Sequence, residues 1–246
     1  MIRYEMSAEE LVSRWEDRRA VQNVLGILSQ HFLIKEEKHI VADLWSAGED
    51  VTLGVNEGFY VGKAAVEGYF DALYQRDVIA NRIRRGLFPD KLGDKTEAET
   101  QGIGSLNYFP LDTPVVEVAD DGQTAKGIWA LRNTYSAITP RGPESYWQWG
   151  WVAADLRKED GGWKIWHLLI LDDAKTRAGA MPGRPYEEYP ELPEFGEMKA
   201  WRLPEPTVAR AVRPRYSVDR PFTPPPRLPE PYDTFENTFS YGEVEA

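Results

Sequence analysis

Residues 146–171, YWQWGWVAADLRKEDGGWKIWHLLIL, decide the fold. Asp160-Gly161-Gly162 is a tight-turn signal between two long runs rich in aromatic and β-branched residues, so the stretch reads as two antiparallel strands, about 146–157 and 163–171. Alternate residues of a strand share a face. In the first strand Trp147, Trp149 and Trp151 share one face, and Tyr146, Gln148, Gly150 and Val152 share the other. The register against the last strand puts Gln148 on the inner side and the tryptophans on the outer one. The opposite reading makes the tryptophans an aromatic cage inside a pocket.

Working outward, strands are expected at about 113–119 and 125–138, and VTLGV (51–55) with GFYV (58–61) forms a hairpin around Asn56-Glu57. Before them the pattern is helical. Ser7 and Glu10 make a capping box, and Leu11, Trp15, Val21, Val24, Leu25, Leu28 and Phe32 follow at roughly helical spacing. A short helix covers Lys38–Trp45, and a third runs from Lys63 to about Tyr74 with Val66, Phe70 and Leu73 on one side. Helices first, then a run of strands, means α+β and not a doubly wound sheet. Residues 76–105 read as a long connection carrying Arg76, Arg82, Arg84, Arg85, Lys91 and Lys95. Such a segment suits an interface with an acidic patch or an approach to an anionic substrate group.

The composition changes near residue 175. Of 18 prolines, 13 fall between Pro182 and Pro231, and Arg-Leu-Pro-Glu-Pro occurs at both 202–206 and 227–231. Proline lacks a backbone donor, so this stretch cannot continue a helix or a central strand. Its aromatics, from Trp201 to Tyr241, are too many for a disordered tail. Two units are therefore expected: 1–174, a compact pocket domain, and 175–246, an extended arm packing on its own or a neighbouring subunit.

The net charge of −11 argues against nucleic-acid and anionic-membrane partners. Zero cysteines exclude disulfides, thiolate catalysis and Cys-ligated metal. The three histidines form no metal-ligand pattern, and nucleotide, flavin and nicotinamide signatures are missing. No cofactor and no metal are expected. The N-terminus lacks a signal-peptide layout, which makes the cytoplasm the default compartment. The pairs Glu36/Glu37 and Asp172/Asp173 read as solvated.

The capped first helix, Asp43-Leu44-Trp45, the hairpin, the run Tyr60-Val61-Gly62-Lys63-Ala64-Ala65-Val66, Thr113–Val118, Thr124–Gly127 and Asp160–Ile165 together resemble the SnoaL-like branch of the nuclear-transport-factor-2-like superfamily. The resemblance covers roughly 7–173. It implies a cone: a curved antiparallel sheet closed by the N-terminal helices over one deep pocket, here followed by the long proline-rich arm. Members include scytalone dehydratase, ketosteroid isomerase and γ-formaldehyde lyases of lignin-derived diaryl compounds, while others only bind ligands or proteins. The dehydratase's two histidines correspond to Tyr108 and Tyr135 here, and its first-helix aspartate to Ile34, so its mechanism is not copied.

The expected site follows from parity and this resemblance. His31 continues the apolar face of the first helix, and His167 shares parity with Trp163 and Ile165. Each could be a satisfied core residue. If both point inward, they are the bases available at neutral pH. Tyr108 and Tyr135 then donate to an oxyanion or leaving group. Asn133, Gln148, Trp45, Tyr69 and Trp129 are expected to bind substrate. The leading function is a cofactor-independent lyase that removes formaldehyde or water from an aromatic molecule, such as a lignin-derived diaryl compound, by proton transfer. An isomerase of a cyclic ketone and a non-catalytic binding module are the alternatives. Because three adjacent outer tryptophans need cover, a homodimer or homotrimer is expected.

Overall fold

The computed structural model describes residues 6–139, 142–178 and 203–243. The start of the arm, including Pro182 and Trp201, lies outside the described residues. The chain opens with α1 (Ala8–Ile34), whose capping box is formed as expected: Ser7 Oγ accepts from the Glu10 amide, and the Glu10 carboxylate accepts from Ser7. Its buried stripe is Val21, Leu25, Leu28 and Phe32. Leu11 and Trp15, expected on that stripe, are exposed, while Arg14 of the same turns reaches the Val118 carbonyl. A 3-10 turn (Glu37–His39) leads into α2 (Ile40–Leu44). β1 (Thr52–Val55) and β2 (Gly58–Val61) form the hairpin.

The helix α3 (Lys63–Leu87) runs 13 residues past the expected end at Tyr74. Nothing in 75–87 breaks a helix, since neither proline nor a cap interrupts it before Pro89. Two one-turn helices, α4 (Pro89–Leu92) and α5 (Glu97–Thr100), follow, so 76–105 is largely helical and not an open loop. Its arginines are used internally. Arg84 is buried and donates to Ser105 Oγ, Arg82 pairs with Glu97, and Arg85 donates to the Lys95 carbonyl.

The sheet comprises β3 (Leu106–Tyr108), β4 (Leu111–Val118), β5 (Thr124–Thr139), β6 (Gly142–Glu159), β7 (Gly162–Arg177) and the hairpin. A two-residue strand of the arm, β8 (Val208–Ala209), completes it. The order is β3-β5-β6-β7-β1-β2-β8, with β4 also on β5. The sheet is not wholly antiparallel: β1 runs parallel to β7, pairing Thr52 with His167. The sheet is curved and not closed into a barrel, the open cone expected of this α+β chain.

The two faces carry different cores. The concave face buries Trp129, Leu131, Val152, Ala154, Leu156, Trp163, Ile165 and Leu168 against the stripes of α1 and α3. The convex face carries Phe59, Ile128, Ala153, Leu169 and Leu171, covered by Tyr241 and Phe239 of the arm. Gln148 lies on the concave side, paired with Asn133, while Trp151 packs on the convex cluster. Trp151 donates to Asp173 Oδ2 at 2.6 Å, whereas Trp147 remains half exposed.

Candidate active site

Two β-bulges decide which side chains enter the cone. The pairing of β6 with β7 slips once where Asp155 faces His167 but Leu156 faces Ile165, leaving Trp166 as the extra residue. Trp163 and Ile165 therefore point inward, and His167 points outward with Leu169 and Leu171. The slip removes His167 from the pocket face on which simple alternation had put it. There it lies against the arm: Nδ1 is 3.0 Å from Thr52 Oγ1, the ring stacks on Trp166 at 4.6 Å, and Gly242 touches it so closely that no side chain fits there. Burial holds its pKa down at about 4.

The second slip, at Trp149/Gly150, leaves Asp173 as the extra residue. Strict alternation would put Asp172 and Lys175 on opposite faces. The bulge brings both to the concave one, where Gly150 pairs with Asp172 and Gln148 with Lys175. Gln148 Nε2 donates to Asp172 Oδ1, and Asn133 Nδ2 donates to Gln148 Oε1 at 3.0 Å. Asn56 locks the backbone of Asp172 with two hydrogen bonds, one in each direction. The aspartate pair expected to be solvated is thus bound into the fold, and Glu37 is likewise buried. Proton-handling groups gather here that alternation alone could not place.

Tyr135 stacks on Tyr146 at 4.9 Å, and the Lys175 ammonium sits 5.0 Å from the Tyr135 ring and 5.8 Å from the Tyr146 ring. Burial lowers the proton affinity of Lys175, and Arg215 and Arg76 lower it further, while Asp172 opposes them. Arg76 of α3 lies within electrostatic reach of Tyr69, Tyr60 and Tyr135. Tyr60 packs on Tyr69 at 4.9 Å, donates to the Pro204 carbonyl at 2.6 Å, and has its pKa raised to about 12 by burial.

Of the expected site residues, Tyr135, Asn133, Gln148 and Tyr69 come together here. Trp129 and Trp45 are buried deeper, in the aromatic core with Phe70, and form packing under the site more than an open wall. Tyr108 is exposed, because β3 is an edge strand and the Tyr108 ring points off it. His31 lies in the last turn of α1, its side chain largely buried, with Nε2 3.5 Å from Asp43 Oδ2 and Nδ1 without a hydrogen-bond partner among the described residues. The structure therefore puts Tyr108 and His167 on the face turned away from the Tyr135 cluster. Asp172, Lys175 and Arg76 take their place in the concave cluster.

Residues 13–168 match the family profile of the SnoaL-like domain. No curated protein matches the chain in sequence. Solved structures that resemble it include a type 2 hexachlorocyclohexane dehydrochlorinase, LinA (13% identity, 72% of this chain and 99% of that one, TM-score 0.49). A protein of unknown function from Mycobacterium tuberculosis, Rv3472, is also similar (16% identity, 69% and 78%, TM-score 0.45). So is an NTF2-like protein with a cystatin-like fold from Novosphingobium aromaticivorans (14% identity, 68% and 91%, TM-score 0.41). With a family match over well over half its length, this chain belongs to the SnoaL-like domain family.

Proposed function

We propose that this protein is a cofactor-independent lyase that acts on an aromatic small molecule by proton transfer on the concave face. The observation that carries the reading is the bulge that sets Asp172 and Lys175 on one face beside Tyr135, with Gln148 between carboxylate and amide. Burial lowers the proton affinity of Lys175, which favours the neutral amine that a general base requires. It takes the proton of a substrate hydroxyl or acidic carbon. Tyr135 donates to the developing oxyanion, and Arg76 stabilises its charge. A carbanion so formed expels the neighbouring hydroxyl, which leaves as water with the proton returned by the Lys175 ammonium; a deprotonated hydroxymethyl group instead breaks its carbon–carbon bond to release formaldehyde, and the carbon left behind takes that proton back. Tyr135, partly buried where its stacking partner Tyr146 is fully buried, offers an aromatic contact for a substrate ring.

One observation favours a second reading, a binding module without chemistry. The narrow end of the cone is filled by Phe32, Phe70, Phe109, Trp45 and Trp129, with Phe32 and Phe109 ring centres 4.6 Å apart. A screen of lignin-derived diaryl alcohols and cyclic ketones for loss of formaldehyde or water separates the two. On a turned-over substrate, Lys175→Met should lower kcat by roughly 10²–10⁴, and Tyr135→Phe should lower it while preserving ring packing. Binding without turnover across the screen would favour the module.

A further inference from the structure

Arg84 uses one edge of its guanidinium in the fold and leaves the other without an acceptor. Its side chain is only 1% exposed. Nη1 donates to Ser105 Oγ at 2.9 Å, its one hydrogen bond among the described residues, and the buried Nε has no partner. No described carboxylate pairs with it. Asp77, whose charge acts on Arg84 from the same face of α3, is held instead by Lys35 at 3.0 Å. A buried cation without a counter-charge is costly, because burial strips it of water and nothing replaces that. Asn81 Oδ1, one turn away, also lacks a partner, but a neutral amide oxygen does not balance a full charge.

The cover over this group is a loop, residues 101–105. Two hydrogen bonds from side chains of α3 hold it: Asn81 Nδ2 to Gln101 Oε1 at 3.3 Å, and Arg84 to Ser105. Gly102 and Gly104 take φ of 77° and 71°, values that glycine adopts without strain. Between them Ile103 is exposed, so no apolar anchor fastens the loop to the core. A segment fastened mainly by polar contacts opens locally at low cost. Gln101 Nε2, buried as well, is a second donor with no partner.

We propose that Arg84 is the centre of a binding site for a small monocarboxylate, reached when the 101–105 loop lifts from α3. The Nε–Nη2 edge of a guanidinium matches the two oxygens of a carboxylate with parallel, charge-assisted hydrogen bonds. Gln101 Nε2 is the further donor the loop offers on closing again. One negative charge neutralises Arg84, whereas a phosphate dianion would leave excess charge buried near Asp77. The loop leads directly into β3, where Asn107 pairs with Tyr135, so the site lies at the rim of the cone, one strand from Tyr135.

The test is an NMR titration of the full chain with benzoate, acetate and inorganic phosphate at constant ionic strength, following the Arg84 Nε–H signal and the Gly104 amide. Both carboxylates should shift these signals saturably, and Arg84→Met should weaken benzoate binding by about tenfold or more. Ser105→Ala removes a tie of the loop and keeps the guanidinium, so it should bind benzoate at least as tightly as the wild type. It keeps the test decisive if Arg84→Met does not fold. No saturable shift with either carboxylate overturns the proposal, as does tighter binding of phosphate. A loss of binding in folded Ser105→Ala overturns the role given to the loop. Binding at Arg84 requires no turnover in the concave cluster, so a protein inert to every substrate would count against the lyase reading alone.

Discussion

Glu37 shows how a single side chain can be set against its own fold. It is almost fully buried, one carboxylate oxygen has no partner among the described residues, and Asp77 adds repulsion that Lys35, 3.9 Å away, offsets only in part. Burial raises its pKa from 4.5 to about 7. The folded state thus prefers the protonated acid. Stability is full below pH 4.5 and is lost as pH rises through 7, by about 3 kcal/mol for a shift of this size. Glu37→Gln should therefore stabilise the protein at pH 8 by up to that amount and change little at pH 4.5. Urea unfolding at the two pH values checks it. His167 has the opposite sign. Its neutral form is favoured, so its contribution is full above 6.5 and is lost as pH falls through about 4. Because the ring touches Gly242 and lies tilted 6.4 Å from the Phe235 ring centre, acidification should expose the end of the arm to protease, and His167→Gln should blunt that pH dependence.

At the scale of elements, the cage of Tyr232, Phe235, Phe239 and Tyr241 around Lys126 is the strongest link between arm and sheet. The ammonium donates to Asp155 Oδ1 at 2.7 Å, both side chains are fully buried, and Asp155 Oδ2 accepts from Ser240 Oγ and from the Tyr241 amide. Burial pushes Lys126 down and Asp155 up, and their attraction opposes both shifts. Removing one partner leaves a buried charge, so Lys126→Met should cost about 3–5 kcal/mol. The double variant Lys126→Met/Asp155→Leu should recover part of that loss, as measured by chemical denaturation. The length of α3 belongs to this scale too. Sequence periodicity ended it near Tyr74 because its later turns carry charged residues, yet Asn81 and Arg84 are buried. Asn81 donates to the Glu97 carbonyl and Arg84 to Ser105, an unusual polar interface for a helix to bury.

At the scale of the whole molecule, the arm covers apolar surface that the cone cannot cover alone. A chain ending at Arg202 would expose Phe59, Ile128, Leu169 and Leu171. Burial of side chains of this kind is worth about 1.5–3 kcal/mol each, so the shortened protein should aggregate or melt well below the full chain, as read by light scattering during a thermal ramp. The assembly expectation narrows accordingly. Trp151 is already covered, leaving half-exposed Trp147 beside Trp149 at 6.0 Å, and Trp15 on α1, as apolar surface for a second copy. We expect sedimentation to give a species larger than the 28.1 kDa chain, and Trp147→Lys to shift it toward that mass. No described helix is long and apolar enough to cross a membrane.

The sequence by itself determined the α1 cap, the hairpins, the long antiparallel strands and which residues alternate together on one strand face, Asn133 with Tyr135 and Gln148 with Tyr146. These depend on local periodicity, turn chemistry and capping, which act between residues close in the chain. Tertiary structure decided the contents of the site. A bulge inserts one residue into one strand and reverses every parity beyond it, and nothing in KIWHLLI or LDDAK marks where pairing with β6 slips. Hence His167 left the pocket, while Asp172 and Lys175 entered together. The partners of the arm were equally hidden. That Lys126 meets four rings from residues 232–241, and that Arg215 reaches Asp172, depends on a return across more than a hundred residues in the first case and forty in the second, set by the whole sheet's curvature and not by any local signal.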